Sequence, residues 1–318
     1  MRALSCGVSG QDGAYLAKLL LSKGYEVYGA SRDAQMSTFA NLKALGIKEK
    51  VKTISLAITD FRSVLQGIHL AEPDEIYNLA GQSSVGLSFD QPVETLESIS
   101  VGVLNLLEAI RFTGRDIKFY NAGSSEVFGD THGRAADEST PFHPQSPYAV
   151  AKASAHWIVS NYRASYGLFA CTGILVNHES PLRPARFVTR KIISTACRIA
   201  AGSEEKLKLG NIAIARDWGW APEYVEAMWR MLQLEAPGDF VVATGRSRKL
   251  EEFISLTFAA LKLEWRDHVR SDPSLLRPSD IREGSGNPQK ANIELGWHAE
   301  YGLEEIIQMM ISAEKNRI

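Results

Sequence analysis

Cysteine is nearly absent from this chain of 318 residues, which has three: Cys6, Cys171 and Cys197. An odd, scattered set excludes a disulfide framework and a cysteine-rich zinc site, and it fits a reducing compartment. Histidine is equally sparse. No two of the seven histidines lie at the i, i+4 spacing of a helical metal pair, so no metal is expected. An excess of either charge is also missing, since 35 Lys+Arg face 37 Asp+Glu for a formal charge of −2. That balance excludes a basic surface built for nucleic acid or an anionic membrane, while a small anionic ligand needs only local charge. No apolar run nears the roughly 18 residues of a spanning helix. The start, MRALSCGVSGQDG, turns glycine-rich without a signal-peptide apolar region. The expected location is therefore the cytoplasm. What is abundant is ordinary: 45% hydrophobic and 23% charged residues suit a globular chain with a sizeable core.

Short β-rich runs alternate with helical stretches over the first 180 residues. Ala3 to Cys6, Glu26 to Ala30, Val51 to Leu56, Glu75 to Leu79, Lys118 to Asn121 and Phe169 to Val176 read as strands. Ala14 to Lys23 and Val101 to Phe112 carry apolar residues at helical spacing. Such alternation predicts an α/β fold with a doubly wound parallel sheet. Ser180 to Arg186 then reads as a loop, followed by a helix over Val188 to Gly202 and strand-like runs at Lys206 to Leu209 and Asp239 to Ala243. Leu303 to Glu314 reads as an amphipathic helix. The expected division is a Rossmann-type dinucleotide-binding domain over 1–178, completed by about 217–243, and a smaller C-terminal α/β substrate lobe from 179–216 and 244–318.

Gly7, Gly10 and Gly13 stand at i, i+3 and i+6 between the first strand and the first helix. Glycine permits a tight turn and lets the backbone approach a pyrophosphate, and a helix N-terminus offers free N–H groups to that anion. The second strand ends at Ser31-Arg32-Asp33. Small Ser31 and cationic Arg32 favour the 2′-phosphate of NADP over NAD, whereas Asp33 argues the other way.

Tyr148 and Lys152 form a Y-x-x-x-K pair, which puts both on one face of a helix. The lysine charge can lower the tyrosine pKa so that a phenolate takes a proton from a substrate hydroxyl. Ser124, Ser125 and Glu126 follow the fifth strand, where ligands of open α/β sheets bind. Serine, tyrosine and lysine suffice for hydride transfer. Glu126 adds a second acid/base, which proton abstraction from carbon and loss of water require.

These segments, with NHESP, FVTRKI, RDWG and RPSD further along, resemble the GDP-mannose 4,6-dehydratases of the extended short-chain dehydrogenase/reductases, over nearly the whole chain. The resemblance implies an NDP-sugar 4,6-dehydratase that makes a 4-keto-6-deoxy sugar nucleotide by internal hydride transfer through bound NADP. It implies catalysis by Ser124, Glu126, Tyr148 and Lys152. Cofactor contacts would come from Gly7, Gly10, Gln11, Asp12, Gly13, Arg32, Leu79, Ala80, Gln82, Ser83, Tyr148, Lys152, His178 and Arg183. Ser84, Asn177, Val188, Lys191, Arg216 and Arg277 would line the GDP-sugar pocket. Trp218 reads as core. Helices Val101 to Phe112 and Tyr148 to Tyr162 commonly form a four-helix interface in such proteins, which implies at least a homodimer.

The chain departs from the family pattern at Ser124, where threonine is usual, at Ala57-Ile58, where Asp-Leu is usual, at Asp33, in the Leu182 to Arg186 loop and at Trp220. Most of these changes fall toward the adenosine end and its neighbouring loops. An NDP-sugar 4-reductase or epimerase sharing Tyr148 and Lys152, and a non-catalytic dinucleotide-binding protein, stay open as alternatives.

Overall fold

The computed structural model describes residues 1–316. Its strands in chain order are β1 (Arg2–Cys6), β2 (Glu26–Ser31), β3 (Lys52–Ser55), β4 (Glu75–Asn78), β5 (Lys118–Ala122), β6 (Ala170–Leu175), β7 (Asn177–Glu179), β8 (Leu207–Leu209), β9 (Ala215–Trp220), β10 (Phe240–Val242), β11 (Ser247–Lys249), β12 (Val269–Ser271) and β13 (Glu283–Gly284). Seven of them form the main sheet in the order β10-β6-β5-β4-β1-β2-β3, with every pairing parallel. The chain runs outward from β1 to β3, then crosses back to start again at β4 on the other side of β1. That reversal opens a crevice at the carboxyl ends of β1 and β4, where ligands of doubly wound sheets bind.

Parallel strands covered by helices on both faces read as unbroken apolar runs. β4 and β6 are buried at every position. On one face, helix Gln11–Ser22 packs against helix Ala221–Gln233, with Leu16, Leu20, Tyr224 and Met228 in their shared core. On the other face, Ile68, Leu106, Leu107, Ala155 and Val159 join the helices Phe61–Ala71, Gly102–Thr113 and Pro147–Tyr166 to the sheet. A third core lies in the C-terminal part, where Ile193, Phe253, Phe258, Ile307 and Met310 come together. Its helices are Val188–Ala200, Leu250–Ala260 and Leu303–Lys315. Truncating one such buried phenylalanine to alanine costs about 3–5 kcal/mol.

Several elements differ from the sequence expectation. The sixth strand stops at Leu175, and Asn177–Glu179 leaves the main sheet to pair with β9. β9 also holds β11 antiparallel and β13 parallel in a small sheet. The expected helix at Val101 is the second part of a longer helical run from Pro92 to Thr113, whose middle, Glu97–Val101, widens into a π-helical turn. Such turns occur often at functional sites. Here the turn presents Ser98 Oγ to the backbone N–H of Gln82 at 3.1 Å.

Candidate active site

The glycine turn explains its own composition. Gly7 has φ +87° and lies so close to the start of the β4 loop that a Cβ would sit 2.9 Å from Leu79 and Ala80 backbone atoms. A Cβ on Gly13 would meet Gly7 O at 2.4 Å. Both positions therefore exclude any side chain. Gly10 caps helix Gln11–Ser22 without a side-chain acceptor. The helix N-terminus, with its partial positive charge, is left open toward the crevice.

Asp12 and His178, both expected at the cofactor, are bound to each other. His178 Nε2 lies 2.9 Å from Asp12 Oδ2, and His178 Nδ1 lies 2.7 Å from Val176 O. With an acceptor at each ring nitrogen, only the imidazolium satisfies both. Burial disfavours that charge, but the Asp12 carboxylate outweighs it and the histidine pKa is raised. Burial likewise opposes ionisation of Asp12, yet the charge and hydrogen bond of His178 hold its pKa at about 2. The imidazole also stacks on Tyr224 at 4.6 Å. Gln11 completes the link by donating to His178 O at 3.2 Å and accepting from Ser180 Oγ at 2.7 Å. The glycine turn is thereby fixed to the β6–β7 corner.

Tyr148 and Lys152 lie one turn apart at the start of helix Pro147–Tyr166. Ser146 caps that helix by accepting from Ala149 N at 3.1 Å, and Pro147 occupies its first turn. Lys152 Nζ donates to Ala122 O at 2.7 Å and sits 5.7 Å from the Tyr148 ring centroid. Burial pushes the lysine down to about 8. Burial also pushes the Tyr148 phenol up to about 12, opposed by a hydrogen bond with Ser124 and the positive charge of Arg183. Ser124 lies two residues beyond β5 and caps the short turn Ser125–Phe128, accepting from Glu126 N at 3.3 Å.

That turn carries Glu126 into an ionic cluster. Arg216 Nε lies 3.8 Å from Glu126 Oε1, and Arg216 Nη2 lies 3.5 Å from Asp280 Oδ1. Arg277 Nη1 approaches the same Asp280 oxygen at 3.8 Å. Burial raises the Glu126 pKa, the two arginines lower it, and Asp280 raises it again. The structure thus brings Ser124, Glu126, Tyr148, Lys152, Arg216 and Arg277 together around the carboxyl end of β5.

The remaining expected residues are placed more variously. Leu79 and Ala80 form the wall against Gly7. Gln82 Nε2 donates to Ser84 O at 2.9 Å and to Thr95 Oγ1 at 3.1 Å, which shapes the loop after β4. Ser84 caps the next helix by accepting from Leu87 N at 3.2 Å. Ser83 Oγ accepts from Arg186 Nη2 at 3.3 Å, so the two loops that flank the crevice meet there. Arg183 Nε is ion-paired with Glu179 Oε2 at 3.3 Å, and its guanidinium stacks over Phe187 at 3.9 Å. Asn177 faces Trp218 in the β7–β9 register. Val188 opens its helix, but Lys191 is engaged elsewhere, donating from Nζ to Lys208 O at 2.7 Å. Trp218 is buried against Phe253, as a core residue should be. Arg32 is exposed, with its guanidinium 3.8 Å from Glu94 Oε1. Asp33 turns away from the crevice: its Oδ1 accepts from Gln35 N at 2.9 Å and Met36 N at 3.1 Å. Asp280 was not among the sequence candidates, although it stands three residues after Arg277 in RPSD.

The chain matches the protein family described as GDP-mannose 4,6 dehydratase over residues 4–310. It is 46% identical to GDP-mannose 4,6 dehydratase 2 of Arabidopsis thaliana, covering 98% of this chain and 86% of that protein. It is 39% identical to a GDP-mannose 4,6-dehydratase of Vibrio cholerae serotype O1, covering 98% and 93%. Among solved structures, a UDP-glucose 4-epimerase of Thermus thermophilus in complex with NAD superposes with a TM-score of 0.86 at 25% identity, over the full length of both chains.

Proposed function

The chain belongs to the GDP-mannose 4,6-dehydratase family, and from that premise we propose that it converts a GDP-hexose, GDP-mannose first, to the 4-keto-6-deoxy product with NADP as resident cofactor. The residues present fit a dinucleotide. Gly7 and Gly13 have no room for a side chain, the helix behind them is uncapped by any side chain, and Lys152 uses only one of its three donors, on Ala122 O. A relative in fold binds NAD. Arg32, exposed at the end of β2, is the feature that favours NADP, and Asp33 does not oppose it because its carboxylate is held by its own turn. A nicotinamide dinucleotide held by the Gly7 to Gly13 turn and Lys152 would supply a reversible hydride acceptor for C4 and C6 of the hexose.

The protein's share of the reaction is proton handling. Tyr148 takes the O4 proton as C4 becomes a ketone, assisted by the Ser124 hydroxyl and the charge of Lys152. The ketone acidifies C5–H, and Glu126 removes that proton as a carboxylate. The C5–H electron pair forms the C5–C6 double bond as the C6–O bond breaks. The proton on Glu126, helped by Ser124, leaves with the hydroxyl as water. After hydride reaches C6, the proton held by Tyr148 balances the one that C5 regains. Nothing is consumed but the substrate, and the cofactor ends as it began. Arg277 would contact the substrate diphosphate, and Arg216, whose guanidinium is held by Ala215 O, Ile281 O and Asp280, would add its charge at longer range, with Ser84, Asn177, Val188 and Lys191 around the nucleotide sugar.

Glu126 is the observation that carries this reading over a 4-reductase, which needs no base at that position. We divide the chain accordingly into a cofactor unit, 1–178 with 217–243, and a sugar-nucleotide lobe, 179–216 with 244–318. Exposed Val93, Leu96, Val101, Leu104, Val150 and Trp157 support a homodimer built on the helices after Pro92 and Pro147. The three cysteines are buried free thiols, which supports a cytoplasmic setting. No helix among the described residues is long and apolar enough to cross a membrane. The test is product analysis by NMR with GDP-mannose and a trace of NADP. Many turnovers to a keto sugar per cofactor support the proposal; stoichiometric consumption of NADPH, or no keto product, contradicts it.

A further inference from the structure

We infer that Asp280 is a positioning residue for this reaction: with Arg216 it holds Glu126 in a shared ionic cluster that leaves the carboxyl free to take up and release a proton. The inference deepens the reading of Glu126 given above and rests on it.

The segment that carries Asp280 is fixed on both sides. Toward β9, Ala215 N donates to Arg282 O at 2.8 Å, and Glu283 and Gly284 pair with Ala215 and Arg216. Toward the loop that follows Glu126, Thr131 N donates to Glu283 O at 3.1 Å and Ala136 N to Ser285 O at 3.0 Å. Residues 280–285 are therefore laid between the strand that bears Arg216 and the loop that leaves Glu126. Arg216 cannot swing away, because its Nη1 donates to Ala215 O at 2.9 Å and to Ile281 O at 2.8 Å. Its Nη2 is turned to Asp280 at 3.5 Å. Only its Nε faces Glu126, at 3.8 Å.

That separation is longer than a hydrogen bond, so Arg216 attracts Glu126 without clamping it. A close bidentate pair would lock Glu126 as a carboxylate and make it a poor proton carrier. Asp280 prevents this by taking the other edge of the same guanidinium and the charge of Arg277 besides. With Glu126 ionised, the two carboxylates and two guanidiniums sum to zero. Without Asp280, Glu126 would face two uncompensated cations. The other groups that face it are Ser124 on its own turn and Tyr148 on the neighbouring helix, which is neutral until it has given up its proton.

The test is a 13C NMR titration of the Glu126 carboxyl carbon in the cofactor-loaded protein, with the signal assigned by its loss in Glu126→Gln. Asp280→Asn keeps the shape and removes the charge. Its Glu126 midpoint is expected to fall by about half a pH unit, and kcat to drop about tenfold with KM within about threefold. Asp280→Glu, which restores the charge, is expected to return the midpoint to the wild-type value. An unchanged midpoint in Asp280→Asn overturns the inference, as does a midpoint that Asp280→Glu fails to restore. The titration needs no turnover, so a wild-type protein inactive on GDP-mannose would count against the proposed function while the role of Asp280 is still decided by the midpoint.

Discussion

Where β5 meets the helix Pro147–Tyr166, Ser124 and Tyr148 are each only 9% exposed, and burial moves Tyr148 to about 12 and Lys152 to about 8. Beyond β2, at the other end of the crevice, the Arg32 side chain is 83% exposed and meets Glu94 at a solvated distance. The first region is closely held: Lys152 is bonded to Ala122 O and Ser124 to Glu126 N, Glu126 lies 3.8 Å from Arg216, and low dielectric makes every charge count. The second is loose, with one long ion pair and an aspartate folded onto its own loop. On the proposed function, the reaction rests on these buried groups, where a single change is expected to cost activity. Cofactor preference, on the same proposal, rests on exposed ones that can drift; of the chain's departures toward that end Asp33 is exposed, whereas Ile58 is buried.

This contrast can be broken by substitution. The largest effect is expected from Tyr148→Phe, which removes the phenol that takes the O4 proton and should lower kcat about a thousandfold while leaving NADP affinity near wild type. A loss under tenfold in steady-state assays would show that the buried end is not the reaction centre.

The Asp12–His178 pair comes next, because it ties the two loops of the crevice together. His178→Gln leaves the half-buried Asp12 with only the Gln11 Nε2 donor at 2.9 Å, and calorimetry is expected to show a loss of about 2 kcal/mol. The pH signs follow from the pair. The folded pKa of His178 is raised, so its contribution is full below about 6.5 and is lost as pH rises through that higher value. The folded pKa of Asp12 is depressed, so its contribution is present above about 3.9 and is lost as pH falls toward about 2. The stability gap between wild type and His178→Gln should therefore be widest near pH 5 and narrow on both sides. A gap that does not vary with pH would mean the ring acts by packing on Tyr224 alone.

The smallest effect belongs to the exposed end. Arg32→Ala should weaken NADP by about five- to tenfold and NAD by less than twofold, since one solvated arginine–phosphate contact is worth only about 1 kcal/mol. Equal weakening of both, measured by fluorescence titration, would remove Arg32 from the 2′-phosphate and close the contrast.

The difference between the regions also explains what could be read in advance. The main sheet was legible because doubly buried strands such as Ala170–Leu175 are short, mostly apolar runs separated by glycine-marked turns. The small sheet was not. Its strands, Asn177–Glu179, Ser247–Lys249 and Glu283–Gly284, are two or three residues long and rich in polar side chains. Their pairing with β9 is imposed by contacts distant in sequence. The site divides the same way. Tyr148, Lys152, Ser124 and Glu126 stand in compact motifs with a spacing that can be read. The Asp12–His178 bond joins residues 166 apart, and Arg216 reaches Asp280 across 64, so neither partnership leaves a local trace. Lys191 shows a mixed case: its motif was legible, but the bond from its ammonium to Lys208 O joins residues 17 apart and was not.

The central claim is that buried Tyr148 and Glu126 move protons while hydride stays inside one active site. Isotope tracing tests it most directly, using GDP-mannose deuterated at C4, a trace of unlabelled NADP, and NMR of the product. The account predicts deuterium at C6 of a 4-keto-6-deoxy sugar, a C5 hydrogen drawn from solvent, and neither deuterium at C6 nor released 4-keto-6-deoxy product with Glu126→Gln. Deuterium accumulating in the cofactor pool, or full turnover by Glu126→Gln, would contradict it.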